Sequence, residues 1–153
     1  MMALVQVGEA FVAMLNKALR HHGLSAAGRQ ALAILDGAGE PLSPTTIAER
    51  LIVTTATVTS LLDTLERRGL VIRHPDPHDR RRLLVSITDQ AHQMVDEFLP
   101  EVIALQTAVM AGLDETQRRH LLRTLTLIRE GMATVDVETT LAGAAQRGTP
   151  RHG

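Results

Sequence analysis

The sequence predicts a mainly α-helical fold with one small β-hairpin set among the helices. Three observations carry that reading. Apolar residues recur at spacings of three and four over most of the 153 residues, the period of a buried helix face. That period drops to two only between Leu70 and Ile87. The core must also be aliphatic, because Phe11 and Phe98 are the only aromatic residues besides the histidines.

Residues 3–22 form the first predicted helix, with Leu4, Val7, Phe11, Met14 and Ala18 in one stripe. His21-His22-Gly23 ends it. Ser25 caps a second helix that buries Leu32, Ile34 and Leu35 and stops at Gly37 and Gly39. Ser43-Pro44 starts a third, with a hydroxyl cap before proline at the first helical position. It is short, Pro44 to Leu51, and buries Ile47, Ala48 and Leu51. Ile52-Val53 is a turn. Thr54 or Thr55 then caps a fourth helix to about Arg68, with Val58, Leu61, Leu62 and Leu65 on its inner side. Gly69 ends that helix.

Leu70–Arg73 is a predicted strand. Pro75-Asp76-Pro77-His78-Asp79 is a tight connection, and Leu83, Val85 and Ile87 alternate along a second strand. Thr88 caps a long helix to about Ala111, in which Pro100 is expected to produce a kink or a break. Asp114 and Gln117 have the spacing of a capping box and open a last helix with the stripe Leu121, Leu125, Ile128, Met132 and Val135. Residues 139–153, small and polar toward their end, are expected to be disordered.

Several function classes are excluded or disfavoured by composition. The absence of cysteine removes disulfides, thiolate metal sites and cysteine nucleophiles. No apolar run approaches the ~18 residues of a membrane span. The N-terminal residues lack the pattern of a secretory signal, so a cytoplasmic location and no membrane partner are expected. No phosphate-binding glycine loop or nucleophile elbow is present, and the chain does not read as an enzyme. The seven histidines suggest no metal site. His21 and His22 are adjacent, and on an α-helix they point about 100° apart. His74 and His78 are separated by two prolines. No cofactor and no metal are expected.

Charge is unevenly spread. The formal net charge is −1, yet residues 43–87 carry seven arginines against five acids, and residues 88–142 carry nine acids against four arginines. The densest basic run, Arg80-Arg81-Arg82, falls on the hairpin tip. A helix-turn-helix followed by a basic two-stranded wing is a nucleic-acid-binding arrangement. The helix from Thr54 is placed to enter a major groove, and the wing to meet phosphate or a minor groove. Residues 1–23 and 89–138 then supply dimerisation helices, and residues 24–88 the winged helix-turn-helix. A two-fold dimer sets its two recognition helices about 34 Å apart and suits a near-palindromic site on double-stranded DNA.

The stretch from Leu24 to Thr88 resembles the MarR family of bacterial transcriptional regulators. The matching pieces are LSAAGRQALAIL, TTIAERLIVTTATVTSLLDTLERRGLVIR and DPHDRRRLLVSIT. The resemblance implies a homodimeric winged-helix DNA binder, most often a repressor released by a small, frequently phenolic effector. It also implies that Arg81 enters the minor groove while Asp79 holds the wing. The family pattern often has a basic residue where Ser60 stands here.

The candidate DNA contacts are Thr54, Thr55, Thr57, Thr59 and Ser60 on the recognition helix, Arg67 and Arg68 at its end, and His78, Asp79, Arg80, Arg81 and Arg82 on the wing. The helix face is uncharged, so affinity is expected to lean on the arginines and base preference to tilt toward A·T. Arg67 and Arg68 equally suit the negative end of the helix dipole. Phe11, Met14, Met94 and Phe98 are either core or the lining of an effector pocket. Two other readings remain open: a dimeric winged-helix interaction protein without DNA binding, and a constitutive DNA binder without an effector.

Overall fold

The structure, a computed structural model, describes residues 2–79 and 81–147, with side chains as far as Ala142. Its elements are α1 (Met2–Ala18), a 3-10 turn (Arg20–His22), α2 (Ala26–Ala38), α3 (Pro44–Leu51), α4 (Thr55–Arg67), β1 (Val71–Pro75), β2 (Leu83–Ile87), α5 (Asp89–Val109), α6 (Glu115–Thr134) and α7 (Val137–Arg147). The predicted winged helix-turn-helix is therefore present, in the predicted order. The chain divides into two compact units, Met1–Thr107 and Ala108–Gly153.

Hydroxyl caps fix the helix starts of the first unit. Ser25 accepts from the Gly28 amide, Ser43 from Thr46 and Thr54 from Thr57. Thr54, not Thr55, is thus the cap of α4. Thr88 accepts from the Ala91 amide at 3.3 Å and donates to the Gly69 carbonyl at 2.9 Å. One side chain therefore starts α5 and fastens the exit of α4. Gly69 makes that exit at φ +70, a conformation that strains other residues.

β1 and β2 pair antiparallel in a continuous register from Val71↔Ile87 to Pro75↔Leu83. Leu42 adds one more rung through reciprocal bonds with Val85 of 3.0 and 2.8 Å. The wing is thereby stitched to the segment that leads into α3. Beneath it lies one apolar core, aliphatic but for Phe98, including Leu32 and Leu35 of α2, Ile47 of α3, Val58, Leu62 and Leu65 of α4, Val85 of β2, and Ala91, Val95 and Phe98 of α5. Each such fully buried large side chain contributes about 1.5–3 kcal/mol.

Two expectations change, and of the kink or break expected at Pro100 the break is absent. The first predicted helix narrows to a 3-10 turn after Ala18, so its last residues do not follow α-helical directions. Pro100 does not break α5, which continues to Val109. Pro100 is exposed, so the carbonyl it leaves without a helical donor lies on a solvent-facing side of this chain. Residues 137–147, most of them within the segment expected to be disordered, form α7, started by Asp136, whose carboxylate accepts from the Thr139 amide at 3.1 Å. That bond, with a second from the Thr139 hydroxyl at 2.8 Å, holds the Asp136 carboxyl below its ordinary pKa. Residues 148–153 of the expected tail lie outside the described residues.

In the second unit, α6 opens with the complete capping box of Asp114 and Gln117. It buries no residue within this chain: Leu122, Leu127 and Met132 are 68%, 60% and 69% exposed. α1 likewise has no fully buried residue, with Met2, Val5 and Val7 open. Among the described residues, no helix is long and apolar enough to cross a membrane.

Ile52 is the one non-glycine residue described with positive φ, 58°, and it forms the turn between α3 and α4. A β-branched side chain there carries about 1–2 kcal/mol of backbone strain. Its side chain is 66% exposed, so little packing offsets the strain. Ile52→Asn should raise stability by about 0.5–1 kcal/mol in urea unfolding, since asparagine tolerates this conformation. A loss of stability would show that the isoleucine side chain contributes more than its backbone costs.

Candidate nucleic-acid interface

α4 carries two opposed faces. Val58, Leu62 and Leu65 are buried in the core. At 100° per residue, Ala56, Ser60, Asp63 and Arg67 fall on the far side. Thr54, Thr55, Thr57, Thr59 and Ser60 are all exposed. Several hydroxyls already have local partners. Thr54 Oγ1 lies 2.9 Å from Thr57 Oγ1, and Thr59 donates to the Thr55 carbonyl at 3.0 Å. Each retains acceptor capacity toward an incoming donor. The face is polar, shallow and uncharged over its first two turns, as the sequence indicates.

The arginines divide into two groups. Arg68 donates to the Gly23 carbonyl at 2.6 Å, so it bolts the end of α4 to the turn after α1. Arg67 donates back to the Asp63 carbonyl and to Thr64 Oγ1 while its side of the helix stays exposed. Arg81 is exposed on the wing, and Arg82 is exposed with its Nε 4.0 Å from Asp79. Arg80 lies outside the described residues.

The wing tip is organised by two carboxylates. Asp79 accepts from the Arg81 amide at 3.1 Å, and its carbonyl accepts from the Arg82 amide at 2.8 Å. Asp76 accepts from the His78 amide at 2.8 Å. These short loops turn the chain within a few residues and leave the side chains of His78, Arg81 and Arg82 pointing to solvent. His74 adds a bond from Nε2 to Ser86 Oγ of 2.8 Å across the two strands.

One residue that matters here was not singled out by its sequence position. Arg73, on β1, reaches Asp63 at 2.6 Å, Glu66 at 2.9 Å and the Thr59 carbonyl at 3.2 Å. Its backbone amide also donates to Glu66 at 3.3 Å. Arg73 therefore joins the wing to α4 and neutralises two carboxylates beside the outward face. Counting arginines in the sequence treats it as one more free cation. Only the strand-to-helix packing reveals it as an internal one, since its partners lie seven and ten residues away.

The apolar candidates separate in the same way. Phe11 and Phe98 line a cleft of about 440 Å³ with Val12, Leu15, Arg29 and Val102. Met94 instead packs against the core, and Met14 is half-buried without lining the cleft. Arg29, absent from the sequence candidates, is 4% exposed. Its guanidinium donates to the Leu24 carbonyl at 2.7 Å and to Asn16 Oδ1 at 3.0 Å, both neutral acceptors. Burial pulls its pKa down from the ordinary guanidinium value.

Comparison with known proteins adds to this geometry. The MarR family model matches residues 22–82. The transcriptional repressor YetL of Bacillus subtilis is 33% identical over 109 residues, 68% of this chain and 65% of YetL. The transcriptional regulator PecS of Dickeya dadantii is 30% identical over 109 residues, 70% of this chain and 66% of PecS. The matched stretch thus spans just under two thirds of either relative. Among solved structures, CouR of Rhodococcus jostii RHA1, bound to p-coumaroyl-CoA, has a TM-score of 0.76 at 28% identity, covering 82% of this chain and 88% of CouR. The S. aureus MepR–DNA complex shares the fold with a TM-score of 0.78 at 22% identity, over 85% of this chain and 96% of MepR.

Removing the Arg73 side chain should expose two uncompensated carboxylates beside the outward face of α4. Arg73→Met is expected to lower stability by about 1 kcal/mol, a partly solvated value for charge-assisted bonds. An Asp63→Asn, Glu66→Gln background should cancel most of that loss. Denaturant titration of the four proteins of this cycle, wild type included, measures the coupling, and additive effects would show that the contacts do not act as a unit.

Proposed function

The chain belongs to the MarR family, and on that premise we propose that it is a dimeric, cytoplasmic, sequence-specific DNA-binding transcriptional repressor released by a small molecule, with no catalytic activity. The observation that carries this is the pairing of an outward, polar α4 with a solvent-facing arginine wing on one rigid core. α4 has the dimensions to lie in a major groove, with threonine hydroxyls and methyls toward base edges. Arg81, held by Asp79 through its backbone, is the residue for the adjacent minor groove, and Arg67 and Arg82 are for phosphate. Arg68 is assigned a bracing role, because its guanidinium already serves the Gly23 carbonyl.

Dimerisation is supported by the uncovered apolar residues of α1 and α6, which this chain alone leaves in water. Residues 1–23 and 89–138 are proposed as the dimer-forming parts, and 24–88 as the DNA-binding part. Two-fold pairing matches a near-palindromic operator.

The effector reading rests on the cleft. Its walls are mostly apolar, and Arg29 is a buried cation without a carboxylate partner among the described residues. Such a group favours an anion. The proposed effector therefore has an apolar body and a carboxylate or similar acidic group. The p-coumaroyl-CoA bound by CouR supports a small-molecule effector as such.

Arg81→Ala should weaken binding to every duplex and reduce the slope of log K against log salt by about 0.9, one phosphate-equivalent contact. Fluorescence anisotropy over a salt series measures it. An unchanged slope removes the wing contact, and no binding of any duplex at micromolar wild-type protein favours a dimeric interaction module instead.

Apolar carboxylic acids should raise the melting temperature by several degrees at about 100-fold excess over Kd, where linkage contributes ~2.7 kcal/mol. Their amides should not, and Arg29→Met should abolish the response. No shift with any acid would remove this effector class, and no shift with any ligand class would favour a constitutive DNA binder.

A further inference from the structure

The adjacent histidines acquire a partner that the sequence does not suggest. On an α-helix their rings diverge, but His21 and His22 occupy the 3-10 turn after α1, and their ring centroids are 4.0 Å apart. Glu101 of α5 meets both. Its Oε1 lies 3.4 Å from His21 Nε2 and 3.5 Å from His22 Nε2, and the three ligand atoms fall within 4.8 Å of one another.

We propose that His21, His22 and Glu101 form a binding site for a first-row divalent metal ion of the zinc type. Bonds of ~2.0–2.1 Å to nitrogen and oxygen place tetrahedral ligands roughly 3.3 Å apart, close to the separations of 3.4 and 3.5 Å between Glu101 and the two rings. Hydrogen bonds do not account for the arrangement. The His22 side chain is 8% exposed, and its buried Nε2 has no hydrogen-bond partner. A buried ring nitrogen with nothing to bond is costly unless something else occupies its lone pair.

His21 is also prepared for the role. Its Nδ1 lies 3.1 Å from the Ala18 carbonyl, an acceptor that fixes the proton on Nδ1 and leaves the Nε2 lone pair free. Phe98 stands edge-on to the His22 ring with centroids 6.0 Å apart, closing the apolar side. Two imidazoles and one carboxylate, without thiolate, suit zinc, nickel or copper better than calcium or magnesium. Three protein ligands leave a fourth position for water or a small anion.

The location gives the site consequence. The next residue, Gly23, offers the carbonyl that receives Arg68 from the end of α4. Ion binding would tie the turn after α1 to α5 and fix the anchor of the recognition helix. The metal site itself does not rest on the proposed DNA binding, and its test uses no DNA.

The full-length chain, stripped with chelator, is titrated with zinc sulfate by calorimetry and with cobalt(II) by visible absorption. Expected are one ion per chain and the intense d–d bands of a four-coordinate cobalt site. Glu101→Gln and His21→Ala, both at partly exposed side chains, should each weaken zinc binding about tenfold or more. His120→Ala, on exposed α6, should leave it unchanged. Equal affinity in wild type and both site variants, or loss in His120→Ala, would overturn the proposal. So would absence of stoichiometric uptake by the wild-type chain.

Discussion

The orientation of α4 is the constraint on which the rest of the first unit depends. Its fully buried side chains are Val58, Leu62 and Leu65, with Leu61 packed partly against the same core, on a helix of 13 residues. Short helices gain most of their stability from such packing, so nothing local would hold this one at a fixed angle. The angle is instead set from both sides by arginines. Arg73 grips Asp63 and Glu66 from the wing, and Arg68 grips the Gly23 carbonyl from the far end. Thr88 adds a third tie at Gly69. A rigid body of helix and wing results, which a DNA reader needs if its two contacts are to stay in register.

That arrangement also explains how a chain with net charge −1 can present a cationic surface. The arginines nearest the core are consumed by internal acceptors. On the wing tip, the Asp79 carboxylate holds Arg81 through its backbone amide and lies 4.0 Å from the exposed Arg82 side chain, while Asp76 fixes the loop at the His78 amide. The two aspartates look unfavourable beside phosphate if only charge is counted. Their carboxylates are directed to amides, where they stiffen the loop that presents the positive groups.

Much of this was legible in the sequence because it is local. Caps at Ser25, Ser43, Thr54, Thr88 and Asp114, the spacing of Val58, Leu62 and Leu65, and the change of period after Gly69 all involve residues within a few positions of one another. What escaped involves separations that periodicity does not encode. Arg73 meets α4 only after the chain reverses through Gly69. Glu101 meets His21 and His22 across some eighty residues, and only because a 3-10 turn changes the directions an α-helix would give. α7 was missed for another reason. Its segment was judged by its small and polar residues, yet alanine and leucine favour helix, and Asp136 supplies the start.

The same ties imply where a signal must enter. On the proposed function, an effector would alter DNA affinity only through its difference in affinity between two dimer shapes, so it would have to touch something that moves with α4. The cleft and the histidine cluster both satisfy this through short paths. Arg29 of the cleft bonds the Leu24 carbonyl, and Arg68 bonds the Gly23 carbonyl one residue earlier. The turn from His21 to Leu24 is therefore held by the cleft on one side and by α4 on the other. A ligand that draws Arg29 toward an acid competes for the donor that fixes Leu24, whereas an ion between His21, His22 and Glu101 would immobilise the residues before it. If both proposals hold, the two events would act on one turn in opposite senses, the first freeing and the second securing the contact that anchors α4.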